Sequence, residues 1–286
     1  MSTLSDLDPR PRTAEPPRTG ETLPPAERHR LERTVLWPRG RTLITLPLLI
    51  GVLWWSSKGA EFAPTELGEG MVNIGEYLSR LWPPDFSELG TIVRLLIETL
   101  QMAIVGTLLG GVLALLVAFA ATATLAPRWV YYPARWTMNV IRSIPELVFA
   151  LMFVSAVGLG PFAGILAMTL ASIGSIGKVY AEAMESVDQG PLTALRSVGA
   201  SPRQVIQFGV LPQAAPLLVS YTLLLFEGNV RGATIFGLVG AGGIGLELTT
   251  AMRMYDYGHL SAIVISIIVL VTVIDQCSAL IRRRLT

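Results

Sequence analysis

The stretch Ile92–Ala121, IVRLLIETLQMAIVGTLLGGVLALLVAFAA, decides the fold. A helix needs about 20 mainly apolar residues to cross a hydrocarbon core of about 30 Å, so this stretch predicts a membrane helix that is tilted or begins outside the bilayer. The composition agrees with this. Of the residues, 51% are apolar and 15% are charged, with a mean hydropathy of +0.54. A soluble domain carries about 25% charged residues.

Five further apolar segments lie on either side of this stretch. We therefore predict an all-α integral membrane protein with six transmembrane helices. Trp54 and Trp55 suit the membrane interface at the end of the first span. The third span is expected to be interrupted at Pro145, because proline frees backbone groups of a helix. The predicted spans are about 43–57, 92–121, 136–157, 162–179, 205–226 and 260–280.

Basic residues between the spans predict the orientation. The segments near Arg128 and Arg196 are basic, as are the two ends of the chain, and with six spans all four fall on one side. The segment 58–90, with six acidic residues against two basic ones, falls on the other. Basic loops stay cytoplasmic. We therefore expect a multi-pass protein of the cell membrane with both termini in the cytoplasm. Residues 1–41, rich in arginine and proline, predict a disordered cytoplasmic tail before a membrane domain over 42–286.

Several function classes have no support in the sequence. A net charge of +1 argues against a nucleic-acid surface. With one cysteine and only two histidines, His29 and His259, in unrelated contexts, we predict no metal site. An intramembrane enzyme would need a nucleophile with a base, or metal ligands, inside the bilayer. The sequence shows no such constellation.

A glycine run follows the fifth predicted span. Gly240, Gly242 and Gly245 have the spacing G-x-G-x-x-G, and Gly243 lies between them. That spacing indicates a dinucleotide site only between a buried strand and a helix, whereas here it follows a membrane helix. The run therefore predicts either a turn in which backbones pack closely or a non-helical segment that lines a cavity.

The segment before the fifth span, GPLTALRSVGASPRQVIQFGVLPQAAP, contains a short helix. Pro191 suits its start and Gly199 its end, which places the helix at about 191–198. Ser201 and Pro202 then suit the cap and first turn of the next helix. The simplest interpretation is a helical connector of the kind found in any membrane bundle.

This segment resembles the cytoplasmic signature of ABC-importer permeases, Glu-Ala-Ala, three residues, Gly, nine residues, Ile, one residue, Leu-Pro. Four positions match the pattern and three depart from it. The resemblance implies that residues 191–204 form a coupling loop whose short helix docks on a partner ATPase. The matching positions are Ala194, Gly199, Leu211 and Pro212, and the departures are Thr193, Leu195 and Gly209. The implied coupling residues are Pro191, Thr193, Ala194, Arg196, Gly199, Ala200 and Ser201.

A second resemblance is more specific. FEGNVRGAT (226–234) followed by VGAGGIG (239–245), together with RSIPELVFALMF (142–153), is similar to the permease subunit of phosphonate-type ABC importers. It implies the type I importer architecture, a homodimer, two ATPase subunits and an extracytoplasmic binding protein. The implied substrate is phosphonate, phosphite or phosphate. A permease for another small solute such as methionine is the alternative.

The resemblance implies a transport subunit rather than an enzyme. No Gly-x-x-x-x-Gly-Lys-Ser/Thr motif occurs in the chain. ATP and its magnesium are therefore expected on the partner ATPases, with no cofactor bound by this chain.

Charged and polar residues within the spans are candidates for the translocation pathway. Ionisable groups in a bilayer usually face the bundle interior or a water-filled cavity. Glu227 and Arg231 are one helical turn apart, so they either neutralise each other or leave Arg231 to guide an anion, with Asn229 beside it. Arg142 and Glu146 have the same spacing. Asp275 receives no partner from the sequence.

Overall fold

A computed structural model describes residues 39–60 and 66–284 of the chain, and the described residues contain helices and turns but no strand. The chain divides into two compact units, residues 1–71 and 72–286. The helices are α1 (Arg39–Gly59), α2 (Glu66–Arg80), α3 (Leu89–Ala120), α4 (Arg128–Ser143), α5 (Glu146–Val157), α6 (Pro161–Glu185), α7 (Gln189–Ser197), α8 (Pro202–Val205), α9 (Leu211–Phe236), α10 (Ile244–Arg253) and α11 (Tyr257–Arg282).

Four helical stretches are long and apolar enough to cross a membrane: α3, α6, the continuous run Pro202–Val239, and α11. The pair α4 and α5, bent by 86°, would be a fifth as one broken span. The all-α membrane class is thus confirmed. The first predicted span lies within α1, which is not among these stretches and ends in the polar run Ser56–Lys58. Six spans are compatible with this fold, and residues 1–38 of the predicted tail lie outside the described residues.

Helices α3 and α6 pack closely at the centre of the second unit. A Cβ added at Gly106 would lie 2.9 Å from the Cβ of Met168, and one added at Gly110 would lie 2.5 Å from that of Ser172. Only glycine permits this approach of the two helices, which is the packing that small residues four apart favour in membrane bundles. Gly164 serves a similar purpose on α6, where its added Cβ would lie 2.9 Å from the carbonyl oxygen of Ala241.

The third predicted span is interrupted at Pro145, as the sequence predicts. The proline lies between α4 and α5 in an extended conformation, with φ −58° and ψ 138°, so the helix cannot continue through it. The first half begins at Arg128 rather than near 136, which makes Arg128 and Arg135 helical residues rather than loop residues. Arg135, midway along α4, ties this helix to the ends of α3 and α6, because its guanidinium donates to Glu185 at 2.8 Å and to the Ala121 carbonyl at 3.1 Å.

The fifth predicted span is longer than its apolar window. The apolar window ends at Phe226, whereas the helix α9 continues to Phe236. A π-helical turn at Ile206–Val210 joins α9 to α8. The window ended at Phe226 because Glu227 and Arg231 follow it. Both side chains have partners on the neighbouring α11, so the helix accommodates them.

Candidate functional site

The predicted coupling helix is present as α7, which begins two residues earlier than expected. Asp188 caps its start by accepting a hydrogen bond of 3.0 Å from the Gly190 amide. Gly199 ends it with φ +82°, and its amide donates to the Arg196 carbonyl at 3.0 Å. This left-handed conformation is favourable for glycine and costly for other residues.

A capping box starts the next helix directly after the coupling helix. The Gln204 amide donates to the Ser201 hydroxyl at 3.4 Å, and the Ser201 amide donates to the Gln204 side chain at 2.8 Å. Pro202 occupies the first turn, where its missing amide hydrogen costs nothing. These bonds connect α7 to the start of the long helix that follows it.

The coupling helix has one anchored face and one free face. Leu192 is fully buried in the main core, whereas Val198 is 81% exposed. Of the predicted coupling residues, Ala200 is half-buried and the others are exposed: Pro191, Thr193, Ala194, Arg196, Gly199 and Ser201.

Two departures from the permease signature compensate each other. Leu195 stands where the signature has alanine, and Gly209 stands where it has isoleucine. In the structure these residues are in contact, because a Cβ added at Gly209 would lie 3.1 Å from Leu195 Cδ1 and 3.4 Å from Leu192 Cδ1. The volume lost at 209 is therefore filled from 195, and the docking of α7 on the following helix is retained.

The contact between Leu195 and Gly209 predicts that a second substitution restores the stability lost through the first. Gly209→Ile alone should destabilise the chain by about 1–3 kcal/mol, because its side chain overlaps Leu195 in a closely packed site. Adding Leu195→Ala should restore most of the loss, measured as the midpoint of thermal unfolding in detergent. The control is Leu195→Ala alone, which should be destabilising through its cavity. Additive effects of the two changes would show that the residues do not compensate.

The glycine run forms a turn in which backbones touch. Gly240, Gly242 and Gly243 have φ between +74° and +85°. A Cβ added at Gly245 would collide with the Thr234 carbonyl, and one added at Gly237 would lie 2.5 Å from the Cα of Gly245. The first interpretation of the run, close backbone packing, is therefore the one that the structure supports.

The amides at this turn are already used. The Gly243 amide donates to Glu98 Oε1 at 2.9 Å, and the Ile244 amide donates to Thr99 Oγ1 at 2.9 Å. A dinucleotide site needs such amides free to bind phosphate at a helix start. Here they bind the first half of α3, so the turn connects α3 to the segment between α9 and α11.

The charged residues of α9 pair with α11 rather than with each other. Glu227, which is 6% exposed, lies 2.9 Å from the Arg282 guanidinium. Arg231 lies 3.2 Å from Asp275, with both side chains about half-exposed. The interpretation that Glu227 and Arg231 neutralise each other is thus wrong. Two antiparallel helices bring closer partners than the same helix one turn away, and Asp275 has the partner that the sequence left open.

The remaining predicted pathway residues differ in exposure. Asn229 is buried and donates to Thr107 Oγ1 at 2.9 Å, which ties α9 to α3. Arg142 and Glu146 are exposed and do not pair, because Pro145 breaks the helix between them and the one-turn spacing no longer applies. The Glu146 carboxylate instead lies beside Gly232 of α9, 3.6 Å from an added Cβ.

The described residues form an apolar helical bundle in which α7 lies at the position of the permease signature. The chain belongs to the family of binding-protein-dependent transport system inner membrane components, which matches residues 106–286. It is a membrane-spanning, non-enzymatic subunit of the ABC-importer class. Partner ATPase subunits and a substrate-binding protein are therefore part of its system.

Named relatives and a solved structure agree with this assignment. The chain is 42% identical to the phosphite transport system permease protein PtxC of Stutzerimonas stutzeri, over 77% of this chain and 80% of the relative. It is 41% identical to the phosphate-import permease protein PhnE of Mycolicibacterium smegmatis, over 72% of this chain and 39% of the relative. A chain of the inward-facing MetNI methionine ABC transporter superposes with a TM-score of 0.63 at 25% identity, over 71% of this chain and 99% of that one.

Proposed function

We propose that this chain imports phosphonate, phosphite or phosphate by alternating access between the two sides of the cell membrane. Identity above 40% to permeases named for phosphite and phosphate transport is the observation that carries the proposal. Methionine is the alternative substrate, and the methionine transporter is 25% identical over a similar share of the chain. Its similarity supports the shared architecture, while the higher identities favour an oxyanion.

Arg231 is the residue best suited to meet such an anion. Its side chain is 51% exposed, and Asp275 engages only its Nη1 atom, at 3.2 and 3.4 Å from the two carboxylate oxygens. The planar guanidinium has five N–H donors, so donors remain for an oxyanion of tetrahedral shape. We include Arg142 and Glu146 in the pathway because both are exposed at the break in the third span. Glu227 and Asn229 support it by holding α9 against α11 and α3.

A second copy of the chain completes the pathway in this proposal. Arg94, Glu98 and Gln101 follow one face of α3 at helical spacing, and Arg94 and Gln101 are exposed in the single chain. A polar stripe on a membrane helix faces water or protein rather than lipid. A twofold homodimer would cover it, and closed twofold symmetry is the commonest arrangement of identical subunits.

In this proposal the chain has the orientation, and the division into a tail and a membrane domain, that the sequence predicts. Both termini, the tail 1–41 and the coupling loop 191–204 would lie in the cytoplasm, and the glycine turn would lie towards the outside. Two ATPase subunits would then bind the exposed face of α7. Their closure on ATP would move α7 and, through the Ser201–Gln204 capping box, the long helix that follows.

Replacing Gly199 tests the coupling. Valine at this position adopts φ +82° only at a cost of about 1–2 kcal/mol, so Gly199→Val should distort the end of α7. We expect about a tenfold loss of ATPase association or of stimulated ATP hydrolysis, since 1.4 kcal/mol corresponds to tenfold. Gly190→Ala, on the same helix and in ordinary contact distance of Asp188, is the matched control. Equal activity of both variants would remove α7 from the coupling.

The substrate is tested with the purified permease–ATPase complex in lipid and its binding protein. ATP hydrolysis is measured with methylphosphonate, phosphite, phosphate and methionine in turn. Stimulation by one of the oxyanions supports the proposal. Stimulation by methionine alone would retain the importer and reject the substrate, and failure to associate with any ATPase would reject coupling.

Arg231→Ala should reduce transport of the stimulating anion at least tenfold, since a charge-assisted bond to phosphate-type oxygens contributes about 1.5–3 kcal/mol. Uptake of radiolabelled substrate into proteoliposomes measures the effect. Arg253→Ala is the control, because Arg253 is an exposed arginine at the end of α10 that makes no ion pair among the described residues. An equal loss in both variants would show that overall charge, rather than Arg231, matters.

A further inference from the structure

Three side chains of metal-ligand type meet where α3, α10 and α11 begin. Glu88 immediately precedes α3, Glu247 lies in the first turn of α10, and His259 lies in the first turn of α11. One ligand atom from each lies within 4.8 Å of the other two, and His259 Nε2 is 3.2 Å from Glu247 Oε1. The sequence predicted no metal site because its two histidines occur in unrelated contexts. Only the fold brings these residues together.

The local charge is negative. Among the described residues, no lysine or arginine lies within ion-pairing distance of Glu88 or Glu247. Two further acidic side chains are close: that of Asp85 lies against Gly258, with its Cβ 3.3 Å from an added Cβ, and Asp256 accepts from the His259 amide at 3.0 Å. Neighbouring carboxylates repel each other unless a cation lies between them.

His259 and Glu247 are held in place, whereas Glu88 can move. His259 is 8% exposed, and beneath it a cluster of buried side chains that includes Ile92, Ile244 and Leu260 packs the starts of the three helices together. Glu247 is held against the imidazole. Glu88 is exposed, so a change of rotamer can bring its carboxylate nearer without disturbing the core.

We propose that Glu88, Glu247 and His259 bind one Zn²⁺ ion. Zinc bonds of about 2.0–2.2 Å in tetrahedral geometry put neighbouring ligand atoms about 3.3 Å apart, close to the 3.2 Å between His259 and Glu247. Imidazole with carboxylates suits zinc, whereas calcium and magnesium prefer oxygen ligands alone. Water fills the fourth position. The ion ties the starts of α3, α10 and α11 together, whatever substrate the permease carries.

The test uses the whole permease–ATPase complex, prepared without a polyhistidine tag and treated with EDTA before buffer exchange. Zinc affinity is measured by competition with a chromogenic chelator. We expect one Zn²⁺ per permease chain beyond any bound by the ATPase alone, and a rise in the midpoint of thermal unfolding. Glu88→Gln and His259→Ala should each weaken binding more than about tenfold, because even residues that only orient a ligand contribute 10–100-fold.

Controls separate this site from other zinc ligands. Glu88 is exposed, so Glu88→Gln should fold normally even where His259→Ala does not. Glu76→Gln alters a similarly exposed carboxylate on α2 and should bind zinc normally, as should His29→Ala. Zinc binding that survives in Glu88→Gln and His259→Ala, or that is lost in His29→Ala, overturns the proposal. So does a complex that binds no stoichiometric zinc, or that binds Mg²⁺ or Mn²⁺ more tightly.

Discussion

Gly245→Ala should strongly destabilise the folded permease. The added methyl group would collide with the Thr234 carbonyl, and the nearby Cα of Gly237 would lie 3.0 Å from it. Both neighbours are backbone atoms, which cannot rotate away as a side chain does, so we expect a cost of about 3 kcal/mol or more, at the upper end of overpacking effects. The measurement is the yield of monodisperse protein and its midpoint of thermal unfolding in detergent.

Gly228→Ala is the matched control for this prediction. Gly228 lies on α9, the helix that also carries Thr234, and nothing lies within 4 Å of an added Cβ. Alanine also has a higher helix propensity than glycine, by about 1 kcal/mol. Gly228→Ala should therefore be neutral or stabilising. If Gly245→Ala unfolded at the same temperature as this control, the close packing at the turn would not contribute to stability.

The sequence predicted the features that depend on local chemistry. Pro145 breaks the third span because proline lacks an amide hydrogen whatever surrounds it. Gly199 ends the coupling helix because its left-handed conformation suits glycine. The membrane class follows from hydropathy, since a bilayer requires apolar side chains along the whole of a span. In each case a single residue or a short window is sufficient evidence.

Features that depend on packing between helices were not predictable in the same way. The spacing of Glu227 and Arg231 permits an ion pair within the helix, but the choice of partner depends on the register of α11 against α9. Arg282 and Asp275 occupy the positions that this register brings close. His259 and Glu88 are separated by 171 positions in the sequence, and only the fold brings them within reach of one ligand.

Leu195 and Gly209 both depart from the permease signature, and the structure explains the two departures together. Each looks unfavourable when compared with a signature position by position. Their contact explains both at once, because the larger residue fills the space of the smaller one. A pattern match that scores each position independently cannot detect such an exchange, in which Leu and Gly together have one side-chain carbon fewer than the Ala and Ile of the signature.

Glu227→Gln should destabilise the permease by about 1.5–3 kcal/mol, because it removes the buried carboxylate that lies 2.9 Å from the Arg282 guanidinium and so weakens a charge-assisted contact between α9 and α11. Glutamine has nearly the same shape as glutamate, so the loss reports charge rather than volume. The free energy of unfolding is measured by denaturant titration of the chain in mixed micelles. Loss of the pair should also reduce assembly with the ATPases, since α9 continues from the coupling loop.

Asp275→Asn supplies the contrast, because it breaks an ion pair between the same two helices in a more exposed place. Arg231 and Asp275 are 51% and 42% exposed, and pairs of this kind contribute less than about 1 kcal/mol. The stability of the Asp275→Asn variant should therefore stay near that of the unmodified chain. Its transport activity should change, because Arg231 loses its partner. If Glu227→Gln and Asp275→Asn had equal effects on stability, burial would not be what distinguishes the two pairs, and Glu227 would be better placed in the pathway than in the support of α9.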